Sequence, residues 1–139
     1  MNNNISELLN TDHIQFLFSI FKKNDSPIRL VGGCIRDALI NREFKDIDIA
    51  TKIEPKQVIN LLESNNIEYD DFAIQYGSII SYPLNQKVQI TTLREDINQL
   101  GRHTNVIYTT DWKKDSSRRD FTFNALYVGS ENRLYDYYD

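Results

Sequence analysis

Asp46 and Asp48 stand two apart in the stretch Asp-Ile-Asp-Ile-Ala-Thr, a short way after the glycine pair Gly32-Gly33. On an extended strand such residues project to the same side, ~7 Å from each other. Two carboxylates so placed repel unless a cation sits between them. Their hard oxygens suit Mg²⁺, which keeps several waters and commonly bridges to substrate phosphates. In a two-metal arrangement one ion activates an attacking hydroxyl while the other steadies a departing pyrophosphate. The glycine pair opens a helix-forming stretch, Cys-Ile-Arg-Asp-Ala-Leu-Ile-Asn. Such a turn leaves backbone N–H groups without intrahelical partners at the positive end of the helix dipole, an anion cradle suited to a triphosphate. Arg36, on the first turn of that helix, adds a forked cationic contact. Plainer alternatives stand beside both features. Gly32-Gly33 alone fits an ordinary strand-to-helix turn as well as a phosphate cradle, and Asp-x-Asp is in most proteins a solvated strand face. A solvated face, however, leaves the adjoining glycine turn unexplained.

These residues need elements to hold them. Ile5, Leu8, Leu9, Ile14, Leu17, Phe18 and Phe21 recur near helical spacing, which predicts one amphipathic helix over residues 5–23, broken by Asn-Asp-Ser-Pro. Ile-Arg-Leu-Val then reads as a strand ending in the glycine turn, and Asp-Ile-Asp-Ile-Ala-Thr as a strand with one buried face. Residues 54–66 predict a helix with Pro55 in its first turn and its end at Asn65-Asn66. From Ile67 to Thr92 the texture is β, with Leu-Asn-Gln-Lys as a hairpin turn. Residues 93–105 are polar and irregular and are expected to form a mobile loop. Residues 111–128 predict a short helix or turn, and Leu-Tyr-Asp-Tyr-Tyr-Asp ends the chain. The pattern is that of one α+β domain with a small mixed or antiparallel sheet and flanking helices.

At 139 residues, 40% hydrophobic and 26% charged, the chain suits a single folded domain rather than a disordered one. Its net charge of −4 excludes a globally basic nucleic-acid binder, so any such contact needs a local patch. Cys34, the one cysteine, excludes an internal disulfide and a multi-cysteine zinc site. It stands beside a helix start, where a thiol pKa can drop, but reads as a small packing residue. His13 and His103 lack clustered ligands and read as surface residues. No apolar run reaches the ~20 residues that span a bilayer, and the N-terminus has no signal pattern, so the expectation is a cytoplasmic protein without membrane contact.

With these residues in view, the chain resembles the head domain of the class II nucleotidyltransferases, the CCA-adding enzymes and the related bacterial poly(A) polymerases. Gly-Gly-Cys-Ile-Arg-Asp is similar to the family's Gly-Gly-x-Val-Arg-Asp, and Asp-Ile-Asp to its metal-binding Asp-x-Asp. Tyr-Gly-Ser-Ile resembles a His-Gly-Thr-Val segment, Thr-Thr-Leu-Arg a Thr-Thr-x-Arg segment, and Gly-Arg-His-Thr-Asn-Val the loop that follows it. Residues 118–126, Arg-Arg-Asp-Phe-Thr-Phe-Asn-Ala-Leu, are close to the family's Arg-Arg-Asp-Phe-Thr-Ile-Asn-Ala. The resemblance runs from Arg29 to Tyr127 and implies a polymerase-β-like head. It implies that Asp46 and Asp48 hold catalytic Mg²⁺ and that Gly32, Gly33 and Arg36 meet the nucleotide's phosphates. Arg119, Asp120 and Asn124 would contact the nucleotide and recognise its ribose. The implied reaction is attack of an RNA 3′ hydroxyl, tRNA foremost, on the α-phosphate of CTP or ATP, without a template.

Two departures from the pattern stand out. Gln89 occupies a place where the family usually carries an acid that completes the carboxylate cluster, which lowers the expected activity of the chain alone. Residues 1–139 would be a single head, ending just before the turn that leads into the family's neck, so the resemblance implies that neck, body and tail are absent. The expectation is therefore a catalytic head working with a separately encoded neck-body protein or as a homodimer. A degenerate head that binds nucleotide without transfer and a head for poly(A) addition are the alternatives. Taken without the resemblance, Lys-Lys-Asp-Ser-Ser-Arg-Arg-Asp reads only as a mildly basic, solvated turn.

Overall fold

The computed structural model describes residues 3–32, 34–35, 47–96, 106–117, 126–130 and 134–137. Within them the N-terminal periodicity forms two helices rather than one, α1 (Asn3–Leu9) and α2 (Asp12–Lys23). Thr11 breaks the run with extended backbone, φ −68° and ψ 147°, as the residue preceding α2. Its hydroxyl donates to the Leu8 carbonyl at 2.8 Å, and its backbone N–H meets the same carbonyl at 3.3 Å, closing the end of α1. Asp12 then stands in the first turn of α2, where the dipole favours negative charge. The apolar period runs across the break because both helices bury Ile5, Leu8, Leu9, Ile14, Leu17 and Phe21 in the same core. No helix among the described residues is long and apolar enough to cross a membrane.

The strands are β1 (Arg29–Val31), β2 (Asp48–Thr51), β3 (Tyr69–Asp70), β4 (Ser78–Ser81), β5 (Val88–Thr92), β8 (Leu126–Val128) and β9 (Leu134–Asp136). Among the described residues they form one sheet in the order β3-β4-β5-β2-β1-β8-β9. β2 runs parallel to β5, and the other pairings given are antiparallel, so the sheet is mixed as the sequence predicts. The parallel pair needs a crossover, and α3 (Pro55–Ser64) lies on it. Pro55 opens this helix, and the Gln57 side-chain oxygen accepts the Glu54 backbone N–H at 3.3 Å, one half of a capping box. Asn66 follows its end at φ 57°, which suits asparagine. The hairpin between β4 and β5 turns through Leu84 and Asn85, at φ 49° and 66°.

One expectation is corrected. Within the supposed irregular stretch residues 94–96 are ordered as β6 (Arg94–Asp96), which pairs antiparallel with β7 (Val106–Tyr108) just beyond it, Arg94 opposite Tyr108. Residues 97–105 lie outside the described residues. The missed signal is weak for a physical reason: a two-stranded ribbon has little core to face, so its strands carry no strong apolar alternation.

Residues opposite one another across a ladder share a face of the sheet. Leu30, Ile49, Ile79, Val88, Ile90, Leu126 and Val128 share one face and bury it against α1, α2 and α3. The opposite face divides in two. Toward β8 it carries a small aromatic core of Val31, Ala50, Trp112 and Tyr127, with Leu93 alongside. Toward β4 it carries a polar stripe of Asp48, Gln89, Thr91 and Ser78.

Candidate active site

Asp48 follows Ile47 and precedes Ile49, and the alternation works as the sequence predicts. Ile49 is fully buried on the helix-covered face, while Asp48 is half-buried on the other. Asp48 lies opposite Val31 on one side and Gln89 on the other. Val31 leads into Gly32, whose φ of +82° is a conformation that L side chains rarely adopt. A Cβ at Gly32 would lie 3.7 Å from the Asp48 carboxylate oxygen Oδ2. A side chain at Gly32 would thus begin in van der Waals contact with that carboxylate, so the turn and Asp48 lie against each other. The Ile35 N–H donates to the Gly32 carbonyl at 3.1 Å, the first closure of the helical turn that the sequence places there.

Cys34 packs beneath the turn. Its thiol donates to the Val31 carbonyl at 3.5 Å, and burial pushes its pKa up from 9.0 to about 12, with the Asp48 charge acting in the same direction. The low pKa that a helix start can produce is absent, and the reading as a packing residue holds. Gln89 takes its place beside Asp48 in the parallel ladder. Its Nε2 donates to Ser78 Oγ at 3.3 Å, and Ser78 Oγ is in turn 2.8 Å from Thr91 Oγ1. Ser78 and Thr91 lie in the Tyr-Gly-Ser-Ile and Thr-Thr-Leu-Arg segments of the resemblance, and the pairing of β4 with β5 brings them alongside Gln89.

Of the residues expected to carry the chemistry, Gly32 and Asp48 are described and lie against each other. Gly33, Arg36, Asp46, Arg119, Asp120 and Asn124 lie outside the described residues. Among the described residues no group of three His, Cys, Asp or Glu side chains gathers as a metal site.

Two further residues buttress this region. The Arg29 guanidinium lies 3.5 Å from the Tyr135 ring centroid and 4.0 Å from that of Trp112, and donates to Tyr137 Oη at 2.8 Å. It ties β1 to the end of the chain through cation–π contact. Asp115 lies on α4 (Trp112–Ser117), within the run that reads alone as a solvated turn. The structure corrects that reading: Asp115 is 1% exposed. Its carboxylate accepts the Arg94 backbone N–H at 3.0 Å and the Tyr127 hydroxyl at 2.6 Å. No local signal marks it, since its partners lie 21 and 12 positions away.

The family model described as the Poly A polymerase head domain matches residues 28–139. The mitochondrial CCA tRNA nucleotidyltransferase 1 of Danio rerio is 35% identical over 133 residues, covering 95% of this chain and 31% of the relative. The CCA-adding enzyme of Enterococcus faecalis is 32% identical over 111 residues, 78% of this chain and 26% of the relative. The chain thus spans about a third or less of the length of these curated relatives. Among solved structures, the Bacillus stearothermophilus CCA-adding enzyme in complex with CTP superposes with a TM-score of 0.78 at 24% identity, covering 98% of this chain and 30% of that one, which shows the fold. A mixed sheet with a half-buried aspartate against a glycine turn, in a chain matched over four fifths of its length by one family model, places this chain in the poly(A) polymerase head-domain family, alongside the CCA-adding enzymes.

Proposed function

We propose that the chain is the catalytic head of a template-independent RNA nucleotidyltransferase, adding CTP- or ATP-derived nucleotides to an RNA 3′ end, tRNA above all. The observation that carries the reading is the Asp48 carboxylate, half-buried on the face away from the helices, with its Oδ2 3.7 Å from where a Gly32 side chain would begin. A hard oxygen donor beside a position with no side chain suits a small divalent cation and the phosphates it would accompany. Asp48, with Asp46, is proposed to hold Mg²⁺, and the cation would supply activation of the attacking hydroxyl and charge neutralisation at the leaving pyrophosphate. Backbone at Gly32 and Gly33 would receive the triphosphate with the Arg36 side chain, while Arg119, Asp120 and Asn124 would hold the nucleoside. The RNA 3′ hydroxyl gives up its proton to solvent as its oxygen bonds to the α-phosphorus, the bond from that phosphorus to the oxygen bridging to the β-phosphate breaks, and pyrophosphate leaves. Catalysis here is positioning and electrostatics, without a covalent intermediate on the chain.

Names of the relatives support tRNA as the RNA, and the CTP complex of the Bacillus stearothermophilus protein supports the nucleotide. With 16 basic residues against 20 acidic ones, residues 1–139 have little charge for gripping RNA phosphates. In this reading residues 1–139 are one head domain, and the RNA grip belongs to a neck and body outside these residues.

One observation favours a second reading. Gln89, opposite Asp48, brings no charge to the site, which fits a head that binds nucleotide without transferring it. Incubating the chain with Mg²⁺, labelled CTP or ATP and tRNA lacking its terminal CCA, with and without a neck-body protein, decides between them. Incorporation that disappears in Asp48→Ala supports the catalytic reading. Nucleotide binding with no incorporation in any combination refutes it in favour of the second, and runs of A alone from ATP identify poly(A) addition.

A further inference from the structure

We propose that Ser78 turns the Gln89 carboxamide so that its oxygen becomes an uncharged ligand for the Mg²⁺ proposed at Asp48; this deepens the function proposed above and rests on it. Gln89 stands on β5, between β4 and β2 in the sheet, and opposite Asp48 in the parallel ladder. Its Nε2 donates to Ser78 Oγ on β4 at 3.3 Å. In a planar amide the donor nitrogen and the acceptor oxygen point apart. With the nitrogen committed toward β4, the oxygen is turned from β4 to the side of the strand on which Asp48 stands. Neighbouring strands lie ~4.8 Å apart, so an amide oxygen and a carboxylate in one row can share a small cation. Carbonyl and carboxylate oxygens both suit Mg²⁺ and Mn²⁺. Glutamine at this place thus gives up a charge and keeps a ligand.

The hydroxyls around Gln89 are used differently from others in the same strands. Ser81 Oγ donates to the Val88 carbonyl at 2.8 Å and Thr92 Oγ1 to the Ile53 carbonyl at 2.7 Å, backbone partners of the kind that buried hydroxyls usually find. Ser78 is also buried, at 6% exposure, yet its Oγ meets two side chains, Gln89 Nε2 and, at 2.8 Å, Thr91 Oγ1. Bonds between side chains are the minority class, roughly 10–15% of the total. Here two of them run in series from Thr91 through Ser78 to Gln89. The register of β4 on β5 builds the series, since Ser78 lies opposite Thr91 and diagonally from Gln89. Whichever of Ser78 and Thr91 donates to the other, the serine oxygen keeps a lone pair for the amide. The series starts on a buried strand and ends on a half-buried carboxamide, which it orients. Ser78 acts through Gln89 and is a positioning residue.

The test starts on the unaltered full chain, labelled with carbon-13 at the side-chain carbonyls of glutamine and aspartate. Adding Mg²⁺ with CTP shifts the Gln89 and Asp48 signals together. Ser78→Ala frees the amide and weakens Mn²⁺ binding, read by electron paramagnetic resonance, about three- to tenfold, as expected for one lost hydrogen bond. Ser78→Thr keeps the hydroxyl and the parental affinity. Ser81→Ala removes a hydroxyl from the same strand and also keeps that affinity. Gln89→Leu weakens Mn²⁺ binding at least as much as Ser78→Ala, and combining the two adds no further loss, because nothing remains for Ser78 to position. A Gln89 signal that stays still while that of Asp48 moves overturns the proposal, and this measurement needs no variant. Parental Mn²⁺ affinity in Ser78→Ala, an equal loss in Ser81→Ala, or full additivity with Gln89→Leu each overturns the role of Ser78. If neither signal moves and Mn²⁺ stays free, the proposed function falls instead. Hydrogen exchange of the Gln89 side-chain amide then still decides the tether: faster exchange in Ser78→Ala supports it, and the parental rate overturns it.

Discussion

Gln89→Glu would restore a second carboxylate opposite Asp48, and its consequences follow from the geometry of the parallel pair. Neighbouring strands lie ~4.8 Å apart. Two like charges ~5 Å apart repel by about 3 kcal/mol at an effective dielectric of ~20 and by about 0.8 kcal/mol in bulk water. Both positions are half-exposed, so screening brings the cost to ~1–2 kcal/mol. The lost donation from Gln89 Nε2 to Ser78 adds little, because Ser78 keeps Thr91 as a partner. In the absence of divalent cations the variant therefore melts ~3–8 °C below the parent at neutral pH. A repelled carboxylate holds its proton more tightly in the folded chain than in the unfolded one. The deficit is accordingly absent below the ordinary glutamate pKa of ~4.3 and complete above the raised folded value. Mg²⁺ reverses the order, since a ligand at a hundredfold its Kd adds ~2.7 kcal/mol to whichever chain binds it. Thermal unfolding with and without Mg²⁺, alongside nucleotide incorporation, reads all of this. A variant as stable as the parent without Mg²⁺, and no better stabilised or faster with it, would show that Gln89 and Asp48 do not share a cation site.

Gly32→Ala forces a side chain into φ +82° and costs ~1–2 kcal/mol in chemical denaturation; it also weakens Mg²⁺ binding, because its methyl contacts Asp48 Oδ2. Cys34 resists iodoacetamide at pH 8 until the chain unfolds. Because its folded pKa of about 12 exceeds the ordinary 9.0, stability falls as pH rises between those values; urea titrations show ~2 kcal/mol lost by pH 10.5 in the parent relative to Cys34→Ala. Leu84→Asn, at an exposed position with φ 49°, stabilises the β4–β5 hairpin by ~0.5–1 kcal/mol in the same assay.

The parts of the fold legible in the sequence are those decided by neighbours. Pro55 and the Asn65-Asn66 pair delimit α3 by themselves, and the alternation through Asp48 and Ile49 assigns both faces of β2. The Gly32 turn and the Asp48 carboxylate meet as their spacing suggests. The parts that were not legible depend on distant partners or on a boundary without a change of pattern. Ile5, Leu8 and Leu9 keep phase with Ile14 and Leu17, so only the cap at Thr11 marks the break between α1 and α2. Arg94, Glu95 and Asp96 look like loop because nothing in their own composition announces the pairing with Val106–Tyr108. Asp115 reads as surface since its charge is accommodated by Tyr127 and by an N–H of Arg94, neither of which a local window contains.

The position of β1, between β2 and β8, sets the order in which this chain is completed on a ribosome. Leu30 and Val31 emerge early and find β2 soon after, but their other edge waits for Tyr127 and Val128. At ~5–20 residues per second that edge stays unpaired for roughly 5–20 s of synthesis. An apolar strand with open N–H and C=O groups is a template for pairing with other chains. The strand that feeds the Gly32 turn is thus a place where nascent copies of this protein are apt to associate wrongly, and where a chaperone holding the emerging chain would matter.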